Sequence, residues 1–223
     1  MRKYKGVFFD MDGVVIDSSA LWDHITETVK SEYDLDMSVL EESDGFNLST
    51  EEAIRLVLES TGRFSESLFT EIIGRIDTLY ESSLDSLASP CDGIEEVLTN
   101  LAGKDIMMVL VSNSSRRQVD MALSRFGLSS FFCGTVSSDD VSLGKPSPEP
   151  YLRAIEISGL DADRAIAVED SHTGAKSAWA ASLSCIILAP DGAPAAYPEI
   201  HRSFFGEYLD QITLSKNEKT AGH

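Results

Sequence analysis

Two carboxylates stand one residue apart near the start of the chain, Asp10 and Asp12 in Val7-Phe8-Phe9-Asp10-Met11-Asp12-Gly13, directly after a short apolar run. The run reads as a buried strand. Side chains two apart on an extended chain point the same way, so Asp10 and Asp12 should face one site while Met11 turns from it. Like charges this close repel unless a cation or a shared proton intervenes, which implies a bound metal, a raised pKa, or both. Gly13 permits the sharp turn that follows. Asp-Gly is also a common surface turn, so the pair has a plain reading as solvated acids and a chemical one as a nucleophilic Asp beside an acid/base Asp.

Three later stretches carry polar groups that could join such a site. Ile106 to Val111 leads into Ser112-Asn113-Ser114-Ser115, where a hydroxyl and backbone amides before a helix would either cradle a phosphate or cap the helix. Gly144-Lys145-Pro146-Ser147-Pro148-Glu149-Pro150 is a stiff loop, with Pro148 or Pro150 suited to the first turn of the next helix. Lys145 is there either a solvated charge or an ammonium held rigid to neutralise Asp10 and an incoming phosphate together. Ile166-Ala167-Val168 runs into Glu169-Asp170-Ser171-His172-Thr173-Gly174. Those acids either cap a helix or, facing Asp10, complete the hard oxygen set that Mg²⁺ prefers. His172 reads as a first-turn residue without a role, and Trp22 and Trp179 as core residues on apolar helical faces.

The elements that must position these groups follow from periodicity. Ser18 to about Tyr33, Glu51 to Ser60 and Leu68 to Leu84 carry apolar residues at helical spacing, with Asp17 or Ser18 available as the first N-cap and Gly62 after the second helix. After Pro90, helices at 93–101, 117–126, 149–158 and 175–181 alternate with apolar runs at 106–111, 133–137, 165–168 and 185–188. That alternation predicts an α/β fold, a parallel sheet covered by helices on both faces, with its site outside the carboxyl ends of the strands. Ala189 to Pro198 reads as a loop, and the polar tail from about Ser215 as fraying.

Composition narrows the partners. With 18 Lys plus Arg against 37 Asp plus Glu, the formal charge of −19 disfavours nucleic acid and anionic membranes, whose phosphates would be repelled. An anionic substrate therefore needs local positive charge. Cys91, Cys133 and Cys185 are widely spaced and odd in number, which suggests reduced, mostly buried thiols in a cytoplasmic protein. Asp10 interrupts the first apolar run too early for a signal peptide, and no stretch approaches transmembrane length.

Taken in order, FFDMDGVVIDS, the Ser112 turn, the Gly144-Lys145-Pro146 loop and Glu169-Asp170-Ser171 resemble the four motifs of the haloacid-dehalogenase-like superfamily, in its phosphatase and phosphomutase branch. The resemblance implies a Rossmann-like core over residues 1–13 and 88–223, with an inserted helical cap over 14–87. It implies Asp10 as nucleophile, Asp12 as proton shuttle, and Ser112, Asn113 and Lys145 as phosphate contacts. Mg²⁺ would be held by Asp10, the backbone carbonyl of Asp12, Glu169 and Asp170. The cap's substrate-facing turn maps to Gly45-Phe46-Asn47-Leu48-Ser49, where the resembling β-phosphoglucomutases carry an arginine for a second phosphate and this chain has Leu48. That ranks a Mg-dependent phosphatase of a small phosphorylated metabolite, such as a sugar phosphate, above a mutase, with Arg55 and Arg116 as candidate substitutes for the arginine. True haloacid dehalogenases lack the second Asp. Phosphonatases need a cap lysine in the turn, whereas Lys30 lies on a helix. A non-catalytic phosphometabolite binder of the same fold is the alternative of a different class.

Overall fold

The computed structural model describes residues 4–42, 48–189 and 199–201. Its centre is β1 (Gly6–Phe9), flanked in parallel by β4 (Met107–Val111) and β6 (Ala165–Glu169). β5 (Gly134–Val136) lies outside β4, and β7 (Ser184–Ala189) and β8 (Glu199–His201) lie outside β6, completing a six-stranded parallel sheet. Such a sheet must bury both faces, and the residues alternate accordingly. Val7, Phe9, Met108, Leu110, Ile166 and Val168 pack on one side. Phe8, Val109, Val111, Ala165 and Ala167 pack on the other.

Helices α5 (Ile94–Ala102) and α6 (Arg116–Arg125) cover the first face through Leu98, Leu101, Val119 and Leu123. The second face is covered by α7 (Glu149–Ser158) and α8 (His172–Ala180), through Tyr151, Ala154 and Ala178. The fold is therefore the expected α/β, Rossmann-like arrangement, with the helix and strand pattern after Pro90 reproduced to within a few residues.

Between β1 and α5 lies a helical layer: α1 (Ser19–Tyr33), α2 (Ser38–Glu42), α3 (Thr50–Ser60) and α4 (Glu66–Leu87). It has its own apolar cluster, in which Leu21, Ile25, Ile54, Leu58, Ile72 and Leu84 are buried. Its ends are joined by a short antiparallel ribbon, β2 (Ile16–Asp17) against β3 (Ser89–Pro90), while Val14, Val15 and Ile16 pack with the sheet-side cluster. The ribbon and the five-residue α2 are too short for any periodicity to reveal. Polar contacts hold α4 to α6: Arg117 Nη2 lies 2.7 Å from Glu81, and the Gln118 amide donates to Asp77 at 3.4 Å.

Three expectations are corrected. Trp179 is 42% exposed rather than core, and Cys133 is exposed while only Cys91 of the three free cysteines is buried. Trp22 is half-buried and carries a polar contact described below. Gly45, Phe46 and Asn47 of the expected cap turn, the loop after Ala189 and the tail from Ser215 lie outside the described residues. No described helix is long and apolar enough to cross a membrane.

Candidate active site

Strand register brings the distant acids together. Phe9 pairs with Val168, so the next residues along, Asp10 and Glu169, leave adjacent strand ends on the same face, and the Asp10 N–H still donates to Val168 O at 2.9 Å. Met11 is fully buried on the opposite side with Val7 and Phe9, as the alternation requires. Gly13 has φ +77, and a Cβ there would lie 1.8 Å from Asp170 Oδ2, so only glycine lets the turn pass this carboxylate.

At the centre is a buried ammonium. Lys145 Nζ is 2.6 Å from Asp10 Oδ1 and 2.6 Å from Glu169 Oε1, donates to Val111 O at 2.9 Å, and lies 5.4 Å from the centroid of the Tyr151 ring. Tyr151, itself fully buried, donates its hydroxyl to Glu169 Oε1. The loop that carries Lys145 is pinned by Asn113, whose Oδ1 accepts the Lys145 N–H at 2.9 Å while its Nδ2 donates to the Lys145 carbonyl at 3.3 Å. Further tethers run from Ser142 and Leu143 N–H to Glu149, and from the Ser177 hydroxyl to Ser147 O. The Lys145–Pro146 peptide is cis.

Two buried carboxylates thus share one ammonium, and the charge balance falls on Asp10. Burial, then the nearby Glu169 charge, push its carboxyl up to about 8 against the pull of Lys145. Burial also raises Glu169, with Lys145 and Tyr151 acting the other way. For Lys145 burial works against the charged form, but the two carboxylates outweigh it and raise the ammonium.

Asp12 is held by different means. Its Oδ1 accepts from the Ser18 hydroxyl at 2.6 Å and from Trp22 Nε1–H at 3.1 Å, and its Oδ2 accepts from the Ser114 hydroxyl at 3.1 Å. The Ser112 hydroxyl stands 3.5 Å from the same Oδ2 and accepts the Ser114 N–H at 3.0 Å. Ser18 occupies the N-cap position of α1 but makes no cap bond with its side chain. Ser18, Trp22, Ser114 and Tyr151 were not singled out as site residues from the sequence. Trp22 stands ten residues after Asp12, where helical periodicity reports only an apolar face, and the Ser18 and Ser114 hydroxyls read as caps.

Two N–H groups of the helix terminus after Ser112 are taken up by protein groups. Ser115 caps α6 with a reciprocal Ser115–Gln118 pair, and the Arg116 N–H donates to Asp139 at 2.8 Å. Ser112 and Asn113 instead line the cavity from the turn before that helix. At the other motif, the Ser171 side chain caps α8 by accepting the Gly174 N–H at 3.1 Å.

A cavity of about 890 Å³ opens over these groups, between the strand ends and the helical layer. Asp10, Asp12, Ser112, Asn113, Lys145 and Asp170 line it from the sheet side, and Trp22, Leu48 and Thr50 are among its lining from the helical side. Ser49 instead caps α3, bonded to Glu52. Both candidate arginines are engaged elsewhere. Arg116 is bonded to Thr135 and Asp140, and Arg55 lies over the rings of Phe64 and Phe69 at 4.7 Å. Neither lines the cavity.

The donor set suits a hard divalent cation. Ligand oxygens of Asp10, Glu169 and Asp170 lie within 4.8 Å of one another. Glu169 Oε2, fully buried, has no hydrogen-bond partner among the described residues. A Cβ at Gly174 would lie 2.0 Å from that same oxygen, so the glycine keeps the space beside it clear. The Glu169 charge, which adds to burial in raising Asp10, is what a bound cation would offset.

A parallel sheet with a carboxylate–lysine centre at its carboxyl edge and helices lining the opposite wall defines a Rossmann-like α/β protein with a buried polar site. Comparison with known proteins makes the assignment specific: residues 7–188 match the model of the haloacid dehalogenase-like hydrolases, and the chain belongs to that family. Hexitol phosphatase B from Escherichia coli K12 is 27% identical over 84% of this chain and 84% of its own length. Beta-phosphoglucomutase from Bacillus subtilis is 27% identical over 82% of each. The chloroplastic protein SUPPRESSOR OF QUENCHING 1 from Arabidopsis thaliana is 27% identical over 96% of this chain, which spans 20% of that protein. Among solved structures, CbbY from Rhodobacter sphaeroides in complex with phosphate superposes with a TM-score of 0.76 at 19% identity, covering 92% of this chain and 96% of that one.

Proposed function

We propose that the chain is a magnesium-dependent phosphatase that hydrolyses a small phosphate monoester through an aspartyl-phosphate on Asp10. The observation that carries this reading is the Asp10–Lys145–Glu169 triad at the base of the cavity, with Lys145 Nζ 2.6 Å from each carboxylate. Lys145 holds one oxygen of Asp10, leaving the other to attack phosphorus. As the new P–O bond forms, the ester P–O bond breaks and Asp12 gives the leaving oxygen its proton. In the second half, Asp12 takes a proton from water, the water oxygen attacks phosphorus, and Asp10 departs as a carboxylate. Lys145 offsets charge on Asp10 in both halves, and Ser18, Trp22 and Ser114 keep the Asp12 carboxyl aimed. Asp10, Glu169, Asp170 and the Asp12 carbonyl would hold Mg²⁺, which when bound offsets charge on the phosphoryl oxygens. Residues 14–87 serve as the cap that keeps bulk water from the acyl phosphate.

The names of the relatives support both a phosphatase and a mutase. A mutase must hold a second phosphate, and Leu48, half-buried on the cavity wall, supplies no cation for one, which favours the phosphatase. The test is phosphate release from a panel of sugar and polyol phosphates with Mg²⁺ and with EDTA. Release that depends on the metal and needs no bisphosphate activator is expected. Isomerisation dependent on trace bisphosphate, without net release, would show the mutase instead.

A further inference from the structure

The cavity's described lining carries a cation only at its base, and this points to the substrate class. At the base Lys145 is committed to Asp10 and Glu169. Among the described lining residues it is the one cation. The wall contributed by α1 brings Asp23 and Glu27, one turn apart and both exposed, with Ile25 and Trp22 beside them. Lys30 lies 3.7 Å from Glu27 but does not line the cavity. Leu48 and Thr50 also line the cavity from the helical layer. By sequence, residues 43–47 include Asp44 and neither Lys nor Arg.

We infer that the site, read as a phosphatase, selects phosphate monoesters whose leaving alcohol is uncharged, with an apolar or hydroxylated body, and discriminates against esters bearing a second phosphate or a carboxylate. The reacting phosphoryl group meets Lys145 and the donor hydroxyls at one end. A second anion on the same molecule, held beside the Asp23 and Glu27 carboxylates and the apolar side chain of Leu48, would find no ammonium or guanidinium among the described lining residues of that wall to pair it. A hydroxylated alcohol loses nothing there, since carboxylates and Thr50 accept hydrogen bonds from its hydroxyls while Leu48 and Trp22 cover its carbon skeleton.

Matched pairs of esters test this: glycerol 3-phosphate against 3-phosphoglycerate, and glucose 6-phosphate against glucose 1,6-bisphosphate. Turnover is measured as kcat/KM on the full chain with Mg²⁺, and binding by calorimetry to Asp10→Asn, which cannot turn over. The neutral-alcohol member of each pair should be preferred by about tenfold or more. Leu48→Arg combined with Glu27→Lys should raise the anionic-to-neutral ratio by a similar factor. Equal use of both members, or preference for the anionic one, overturns the inference and leaves the phosphatase reading standing. Absence of phosphate release from every ester, p-nitrophenyl phosphate included, instead removes the phosphatase reading. The binding comparison on Asp10→Asn then still decides the selectivity.

Discussion

The sheet-side base of the cavity and its helical wall are built on different terms. At the base Lys145 is held by Asp10, Glu169 and the Val111 carbonyl, and its own backbone by Asn113. Asp12 accepts hydrogen bonds from three side chains, two at the start of α1 and one in the turn before α6. On the wall, Asp23 and Glu27 stand exposed on α1, and Leu48 contributes only apolar surface. Bond making at phosphorus demands fixed geometry and charges kept from water, so the base is buried and over-determined. Discrimination between esters demands only that the wrong partner be poorly matched, which a simple wall achieves. The two regions should therefore fail differently: damage to the base lowers rate on every substrate, and damage to the wall changes which substrate is used.

The largest effect should come from Lys145→Met. Removing the ammonium leaves Asp10 and Glu169 buried without a counter-charge. kcat should fall about a hundredfold to a thousandfold on all esters alike, with stability lower by about 3–5 kcal/mol, measured by steady-state kinetics and chemical denaturation. A loss confined to one ester would place Lys145 with the wall instead.

Next is the pH dependence of the metal-free protein. The folded-state carboxyl of Asp10 is raised above its ordinary value of 3.8, to about 8. Its stabilising contribution is present in full below the unfolded value and is lost as pH climbs through the folded one. The Tm of EDTA-treated protein should therefore fall between about pH 5 and about pH 8, and Asp10→Asn should flatten that slope. An unchanged slope in Asp10→Asn would assign the effect to other groups.

Trp22→Phe keeps a ring against Tyr80, whose centroid lies 5.7 Å away, but deletes the N–H that meets Asp12. Losing one hydrogen bond to a carboxylate should lower kcat by about tenfold with little change in KM. A pure KM effect would return Trp22 to the wall. The smallest change is expected from Arg117→Ala, which severs an exposed α4–α6 ion pair at 2.7 Å and should cost less than about 1 kcal/mol in denaturation.

What the sequence made legible follows the same division. The base was readable because the motifs of Asp10, Ser112 and Glu169 each close an apolar run, and parallel strands bring their carboxyl ends together whatever their separation along the chain. Asp10 and Glu169 meet for that reason alone. The supporting groups were not readable. Trp22 sits on an amphipathic face where the 3.6-residue period cannot tell an indole facing the cavity from one in the core. Tyr151 follows two prolines in a helix whose apolar face conceals its hydroxyl contact with Glu169. Asn113, expected at phosphate, pins the Lys145 backbone because its amide can donate and accept at once. The ribbon of β2 and β3 has two residues per strand, below what any periodicity can mark.

The central claim is covalent, so the most direct measurement is covalent. Enzyme mixed with Mg²⁺ and a substrate that it turns over is quenched in acid within one turnover and digested, and the peptide carrying Asp10 is examined by mass spectrometry. A hydroxylamine-labile phosphoryl group on Asp10, absent from Asp10→Asn, is the result expected. Turnover without any label on that peptide, or with the phosphoryl group on another side chain, would contradict the assignment of Asp10 as the nucleophile.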